Sequence, residues 1–245
     1  MTKVVRYSMD PGIDPFTPDG PEVRYGQLDV DVPAGARLLP PCAPTKIVCI
    51  GRNYAAHAHE LGNPVPSEPL IFLKPPSALI ASGDAIVYPA ISQNVNYEGE
   101  LGVIIGKRAK HVSAAAALGY VRGYTCVNDV TARDLQRKDV QFTRGKGFDT
   151  FCPAGPWMVP QDELSLDDLR IRTYLDGELK QDGFVRNMIF PVPALIEFIT
   201  QVMTLEPGDL IATGTPEGVG PMHPGSTVII EIENLGSLEN PLRNR

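Results

Sequence analysis

The chain has 245 residues, 43% of them hydrophobic, which is enough apolar surface for one sizeable core and too much for a disordered chain. Its 22 Lys and Arg stand against 29 Asp and Glu, a formal charge of −7 that repels phosphate backbones, so no nucleic-acid partner is expected. No apolar run approaches the ~18 residues of a membrane span, and the first ten residues have neither signal nor transit character; no membrane partner and a cytoplasmic location are expected.

The first 44 residues hold eight of the 24 prolines. Only residues 3–7 and 22–30 read as strands there, before Pro40-Pro41-Cys42-Ala43-Pro44. Residues 1–44 are therefore expected to be a small β-rich segment and linker, and residues 45–245 a catalytic domain. Residues 46–51 read as a buried strand, with Asn53 as N-cap of a helix running to Leu61 and Gly62 closing it. Residues 94–107 read as one strand, with Leu101, Val103 and Ile105 on one face and Glu98, Glu100, Gly102 and Ile104 on the other. A strand over 121–128 runs into Asp129, and Thr131 is placed to cap a short helix. Further on come a hairpin over 170–181 turning at Asp176-Gly177, an amphipathic helix over 192–203, and strands over 209–213 and 227–233. Gly and Pro make up 23 and 24 residues, and the order lacks regular β-α alternation, so a mixed, mainly β fold with few short helices is expected. The four cysteines form no C-x-x-C pair, which points to reduced, buried thiols rather than zinc or disulfides.

Glu98-Gly99-Glu100 is the first chemical signal, because i and i+2 carboxylates on a strand share a side and repel unless a cation lies between them. The apolar flank Leu101-Gly102-Val103-Ile104-Ile105 makes this an inner strand, where solvent cannot relieve the repulsion. Asp129 ends a second apolar strand. Three carboxylates without Cys or clustered His are hard oxygen ligands, suited to Mg²⁺ or Mn²⁺, with Ca²⁺ as a third candidate. His57 and Glu60, at i and i+3, share a helix face, so the carboxylate can orient the imidazole as a general base, whereas His59 points away. Arg133 and Gln136, also i and i+3, can reach a carboxylate, and Lys146 lies between two glycines in a flexible approach. The turn Gly214-Thr215-Pro216-Glu217-Gly218-Val219-Gly220 offers backbone N–H groups and the Thr215 hydroxyl, without the spacing of a phosphate loop.

These segments resemble the fumarylacetoacetate hydrolase superfamily. Gly51-Arg52-Asn53-Tyr54 with His57 and Glu60 is similar to its first block, and Tyr97-Glu98-Gly99-Glu100-Leu101 to its second. Asn128 to Gln136, Gly145-Lys146-Gly147-Phe148-Asp149 and Gly214 to Gly220 match three more, in order. The resemblance implies a mixed β-roll and a homodimer, with Glu98, Glu100 and Asp129 as metal ligands. It also implies a water-activating dyad of His57 and Glu60, with Arg52, Arg133, Gln136, Lys146 and Thr215 on the substrate side. Lys146 is assigned the oxyanion. The short N-terminal segment favours small acylpyruvates, acetylpyruvate or fumarylpyruvate, over fumarylacetoacetate. The expected activity is hydrolytic C–C cleavage of 2,4-diketo acids to pyruvate. Its rivals are oxaloacetate decarboxylation, isomerisation or decarboxylation of 2-hydroxyhepta-2,4-diene-1,7-dioate, and a non-catalytic keto-acid-binding protein.

Overall fold

The computed structural model describes residues 1–15 and 17–245. Its spine is a ten-stranded sheet. At its centre Gly99–Ile105 lies antiparallel to Val121–Asn128 on one side and to Leu210–Ala212 on the other. Ile47–Gly51 extends the sheet in parallel beside Leu210–Ala212, followed by antiparallel Leu70–Lys74. Beyond Val121–Asn128 the order continues through Cys152–Pro160 to Val4–Ser8 and Arg24–Gln27. A five-stranded sheet is built from the hairpin Arg170–Leu175 and Glu178–Phe184 with Thr227–Ile232, Gly236–Asn244 and Ile86–Tyr88. A small three-stranded sheet joins Val95–Tyr97 to Thr131–Ala132 and Gly220–Met222. The chain is mainly β, as its composition suggests, and among the described residues no helix is long and apolar enough to cross a membrane.

Alternation along the central strand separates two cores. Leu101, Val103 and Ile105 join the larger apolar cluster, whereas Ile104 faces the smaller one with Cys49, Cys152 and Leu210. All four cysteines are free and buried, and burial pushes the thiols of Cys42, Cys126 and Cys152 up to about 12, so they behave as apolar filling. The helix Val192–Val202 buries Val192, Leu195, Ile196 and Ile199 on one face, as its pattern requires.

Four local expectations are corrected. The strand expected over 94–107 is two strands in different sheets, broken at Glu98, where Asn128 Oδ1 accepts the Glu98 N–H at 3.0 Å and the Glu98 carbonyl accepts from Asp129 N–H at 2.9 Å. Gly99 lets the two sheets meet at this corner, since a Cβ there would strike the Thr173 hydroxyl. Asn53 is not a helix cap: its side chain bonds Phe190 N–H, Phe190 O and Thr213 O, tying the turn to two distant segments, and the helix begins at Ala55. Thr131 does not cap either, because its hydroxyl donates to Asp129 O and the helix Arg133–Asp139 starts two residues later. The strand expected over 22–30 also stops at Gln27, where Asp31 accepts the Gln27 N–H at 2.8 Å and a helical turn follows.

The amino-terminal segment is stitched to the main sheet through Val4–Ser8. Arg6 on that strand is fully buried and spends its guanidinium on Asp19, Thr17 O and Pro40 O.

Candidate metal centre and active site

The corner at Glu98 has a direct chemical consequence. It swings Glu98 to the same cavity as Glu100 from the central strand and Asp129 from the end of Val121–Asn128. One carboxylate oxygen from each lies within 4.8 Å of the others, and all three residues are buried. Cations surround two of them. Lys146 Nζ donates to Glu98 Oε2 at 2.7 Å and to Asp129 Oδ2 at 2.6 Å. Arg133 Nη2 holds the other oxygen of Glu98, and Lys74 Nζ holds the other oxygen of Asp129 while also donating to Val130 O at 3.0 Å. Glu100 has no cationic partner among the described residues and accepts only the Gly214 N–H, at 2.8 Å.

The charges respond accordingly. Burial alone would raise Glu98, but Lys146 and Arg133 outweigh it and hold its carboxyl well below the usual carboxylate range. Glu100 goes the other way: burial first, then repulsion from Asp129 and Glu98, pushes it well above that range. Burial works against a charged Lys146, yet Asp129 and Glu98 overcome it and keep the ammonium protonated. The triad thus has one carboxylate, Glu100, whose charge Lys146 and the Gly214 N–H offset only in part, and which has no ion pair among the described residues. A hard divalent cation satisfies that deficit, and an all-oxygen donor set suits Mg²⁺ or Mn²⁺, so the residues fit the metal.

Across the cavity the helix Ala55–Glu60 carries the dyad. His57 is buried, and its Nδ1 lies 3.1 Å from Glu60 Oε2. Glu60 Oε1 accepts the Gly218 N–H at 3.0 Å, and Tyr97 donates its hydroxyl to Gly218 O at 2.9 Å. The glycine-rich turn therefore grips both halves of the site, through Gly214 on Glu100 and Gly218 on Glu60. Thr215 borders the pocket, but its hydroxyl donates to Gly99 O and accepts from Gln181 Nε2, so it also fastens the turn to the floor.

A cavity of about 330 Å³ opens between the dyad and the triad. It is lined by Arg52, His57, Glu98, Glu100, Arg133, Gln136, Lys146 and Thr215, which brings eight of the ten residues expected from the sequence to one wall or another. Asp129 completes the floor and Glu60 stands behind His57. Gln136 accepts Arg133 Nη1 at 2.7 Å, and Arg133 Nε is buried without a hydrogen-bond partner among the described residues. Lys146 does not reach the site by flexibility: it closes the short helix Thr143–Lys146, and Gly145 is needed because a Cβ there would come within 2.9 Å of the Gln136 backbone.

Sequence reasoning missed two cations. Lys74 ends the apolar run Leu70-Ile71-Phe72-Leu73, and a charge that closes an apolar strand is a signal that could have found it. Arg137, also at the cavity, follows Gln136 directly and offers no such signal.

A buried acidic triad flanked by cations, facing a carboxylate-oriented histidine at the corner of a β-roll, defines a class of enzyme site. The pattern of the fumarylacetoacetate hydrolase C-terminal domain matches residues 46–243, and the chain belongs to that family. It is 46% identical over 196 residues to a mitochondrial oxaloacetate decarboxylase of Dictyostelium discoideum, a match covering 78% of this chain and 89% of that one. A 2-hydroxyhepta-2,4-diene-1,7-dioate isomerase from Mycobacterium marinum superimposes with a TM-score of 0.84 at 40% identity, covering 100% of this chain and 99% of that one. A fumarylpyruvate hydrolase from Pseudomonas aeruginosa, solved with Mn²⁺ and pyruvate, gives a TM-score of 0.78 at 32% identity, covering 85% and 92% of the two chains.

Proposed function

We propose that this protein is a metal-dependent cytoplasmic enzyme, acting as a homodimer, that cleaves 2,4-diketo acids hydrolytically and releases pyruvate. The observation that carries the reading is the dyad: a buried His57 whose partner Glu60 is held at both oxygens, facing the triad across a cavity that can take a small keto acid. Glu98, Glu100 and Asp129 would hold Mg²⁺ or Mn²⁺, which would supply Lewis acidity to the 2-keto acid head. His57, with its ring fixed by Glu60, takes a proton from the water that attacks the C4 carbonyl. Lys146 has two of its three N–H groups on Glu98 and Asp129, which leaves one to donate to the developing oxyanion. Collapse breaks the C3–C4 bond, and His57 returns its proton to C3 of the departing pyruvate enolate. Arg133 Nε and the Gln136 amide are free to orient the substrate carboxylate.

Oxaloacetate decarboxylation is the second reading, favoured by the 46% identity to a protein of that name. It needs the same enolate but no attacking water. Isomerisation of a dienedioate, favoured by the likeness to the mycobacterial isomerase, moves a proton along that enolate and would use the dyad as the carrier. The test is coupled pyruvate release from acetylpyruvate and oxaloacetate, with Mg²⁺ and with chelator, for the wild type and His57→Ala. Metal-dependent acetylpyruvate cleavage that falls by about 100-fold or more in the variant supports hydrolysis. Oxaloacetate turnover alone, surviving the substitution, replaces it with decarboxylation.

A further inference from the structure

A second cavity, of about 370 Å³, shares no lining residue with the one that holds the triad and the dyad. Tyr124 on the strand Val121–Asn128 faces it, and its walls come from Leu118, from residues 161–167 and from residues 185–193. Most of the lining is apolar, with Leu164, Leu166, Val185, Met188 and Val192 among it.

An empty apolar space costs a folded chain its packing contacts, and loose walls collapse to recover them. Here the wall over residues 185–193 is fastened to residues outside the space. Val185 N–H donates to Leu169 O at 2.9 Å, Ile189 N–H to Asn53 O at 2.8 Å and Phe190 N–H to Asn53 Oδ1 at 2.8 Å. Pro191 and Pro193 fix φ on either side of Val192, where the helix Val192–Val202 begins. The cavity is therefore preformed, the state that costs an entering ligand least.

Its polar groups narrow what can enter. Tyr124 is 1% exposed, and its hydroxyl makes no hydrogen bond with any described residue. A buried hydroxyl without a partner is a cost that the chain itself leaves standing. Burial alone pushes Tyr124 up to about 12, so the group stays a neutral donor throughout the physiological range. At the edge, Arg186 donates to Asp168 Oδ1 at 2.9 Å and to Asp167 O at 3.3 Å and stacks over Phe184, while Ser165 donates to Asp167 Oδ2 at 3.4 Å. Gln161, the remaining polar side chain of the lining, is neutral. An anion entering here loses its hydration, finds Arg186 taken and faces Asp167. A cation meets the charge of Asp167 only where that residue is exposed to water, and gains little.

We propose that this second cavity is a binding site for a small neutral molecule with a flat apolar body, about the size of one substituted ring, and one hydrogen-bond acceptor that takes the Tyr124 hydroxyl. The ring packs on Tyr124, the Met188 thioether and the two prolines, surfaces that suit flat apolar groups. The site stands independently of the keto-acid reading, with which it has no residue in common.

The probes are acetophenone, a neutral aromatic ketone, and benzoate, the same ring carrying a carboxylate. The readout is the methyl NMR spectrum of protein labelled at its six methionines, of which Met188 alone lines either cavity; Met188→Leu identifies its signal. Acetophenone is expected to move the Met188 signal to saturation in the wild type. Tyr124→Phe weakens that binding by about tenfold, since only the hydroxyl is lost. Benzoate at the same concentrations leaves the signal in place. Because the hydroxyl makes no bond within the chain, Tyr124→Phe folds, with a melting midpoint no lower than that of the wild type. No saturable shift at Met188, equal affinity in Tyr124→Phe, a lower midpoint for that variant, or a response to benzoate as strong as that to acetophenone overturns the proposal.

Discussion

Two buried carboxylate sites lie at opposite ends of the same pair of strands, and they are built in opposite ways. Asp209 precedes Leu210–Ala212 at the Ile105 end of the central strand and is fully buried. It accepts from Thr45 N–H at 2.9 Å, the Thr45 hydroxyl at 2.7 Å, Lys46 N–H at 3.2 Å, Lys46 Nζ at 2.5 Å and Glu206 N–H at 2.8 Å. Its acceptor capacity is used up, and the chain supplies every donor. Glu100 at the other end is just as buried, but it accepts one backbone N–H and faces two more carboxylates. A saturated buried acid joins segments, here residues 45–46 to the turn before Leu210; an unsaturated one holds a place for something the chain does not contain. Burial alone does not separate the two cases, whereas the count of donors does.

Removing each acid should break the comparison in different directions. Glu100→Gln is expected to cut the affinity for Mg²⁺, read by calorimetry, by about 100-fold or more, because a charged ligand of three is lost. The thermal midpoint of the metal-free protein should hold or rise, since the neutral amide ends the repulsion with Glu98 and Asp129. A large drop in that midpoint would mean that Glu100 is structural after all. Asp209→Asn should do the reverse. Losing the charge that binds Lys46 and forcing an amide among five donors costs about 3 kcal/mol, seen as the same shift in urea midpoint with and without Mg²⁺. Dependence of that shift on metal would contradict the assignment of Asp209 to the scaffold.

Lys74→Met sharpens the boundary between the two sites. Lys74 is buried and couples the strand Leu70–Lys74 to Asp129, so it has a scaffold role on one side and touches the triad on the other. Its loss leaves one oxygen of Asp129 uncompensated, a destabilisation of about 2 kcal/mol in the metal-free protein. Because a bound cation also compensates Asp129, Mg²⁺ should recover part of that loss, which it cannot do for Asp209→Asn. Recovery absent in both variants would place Lys74 wholly in the scaffold.

The same contrast explains what could be read from the sequence. Strands with plain alternation or a plain apolar run, such as Ile47–Gly51 and Val121–Asn128, were legible because one period decides their faces. The strand Cys152–Pro160 was not, because Pro153, Pro156 and Pro160 mask it. Gly236–Asn244 buries only Leu238, Asn240 and Leu242 and has a proline within it. The break at Glu98 also escaped, since it depends on Asn128 and Thr173 arriving from other strands. For the site, Glu98, Glu100 and Asp129 were visible as charges where apolar strands should hide none. Spacing on one helix revealed His57 with Glu60, a pairing the structure forms at 3.1 Å. The roles of Gly214 and Gly218 were not visible, because each acts through a backbone N–H whose direction only the folded turn defines. Asn53 misled for a related reason: its residue type suits a cap, and tertiary partners claimed it first.

The smallest expected effect lies at the rim, where Val140 contrasts with the rigid floor. It follows the helix Arg133–Asp139 with φ +62° and ψ −41°, a conformation that a β-branched residue adopts only under strain, and its side chain is 84% exposed. No packing offsets the strain, because the side chain touches mainly solvent, although the residue borders the cavity. Val140→Gly removes the steric cost and adds some unfolded-state entropy, for a net gain of about 1 kcal/mol in stability. The gain should appear as a higher urea midpoint without metal and persist with it, because the Val140 side chain lies mostly in solvent and offers no ligand atom. A loss instead would mean that the exposed valine is covered in solution, with a second copy of the chain as the first surface to test by sedimentation. In that case the rim, like the floor, would owe its shape to something outside this single chain.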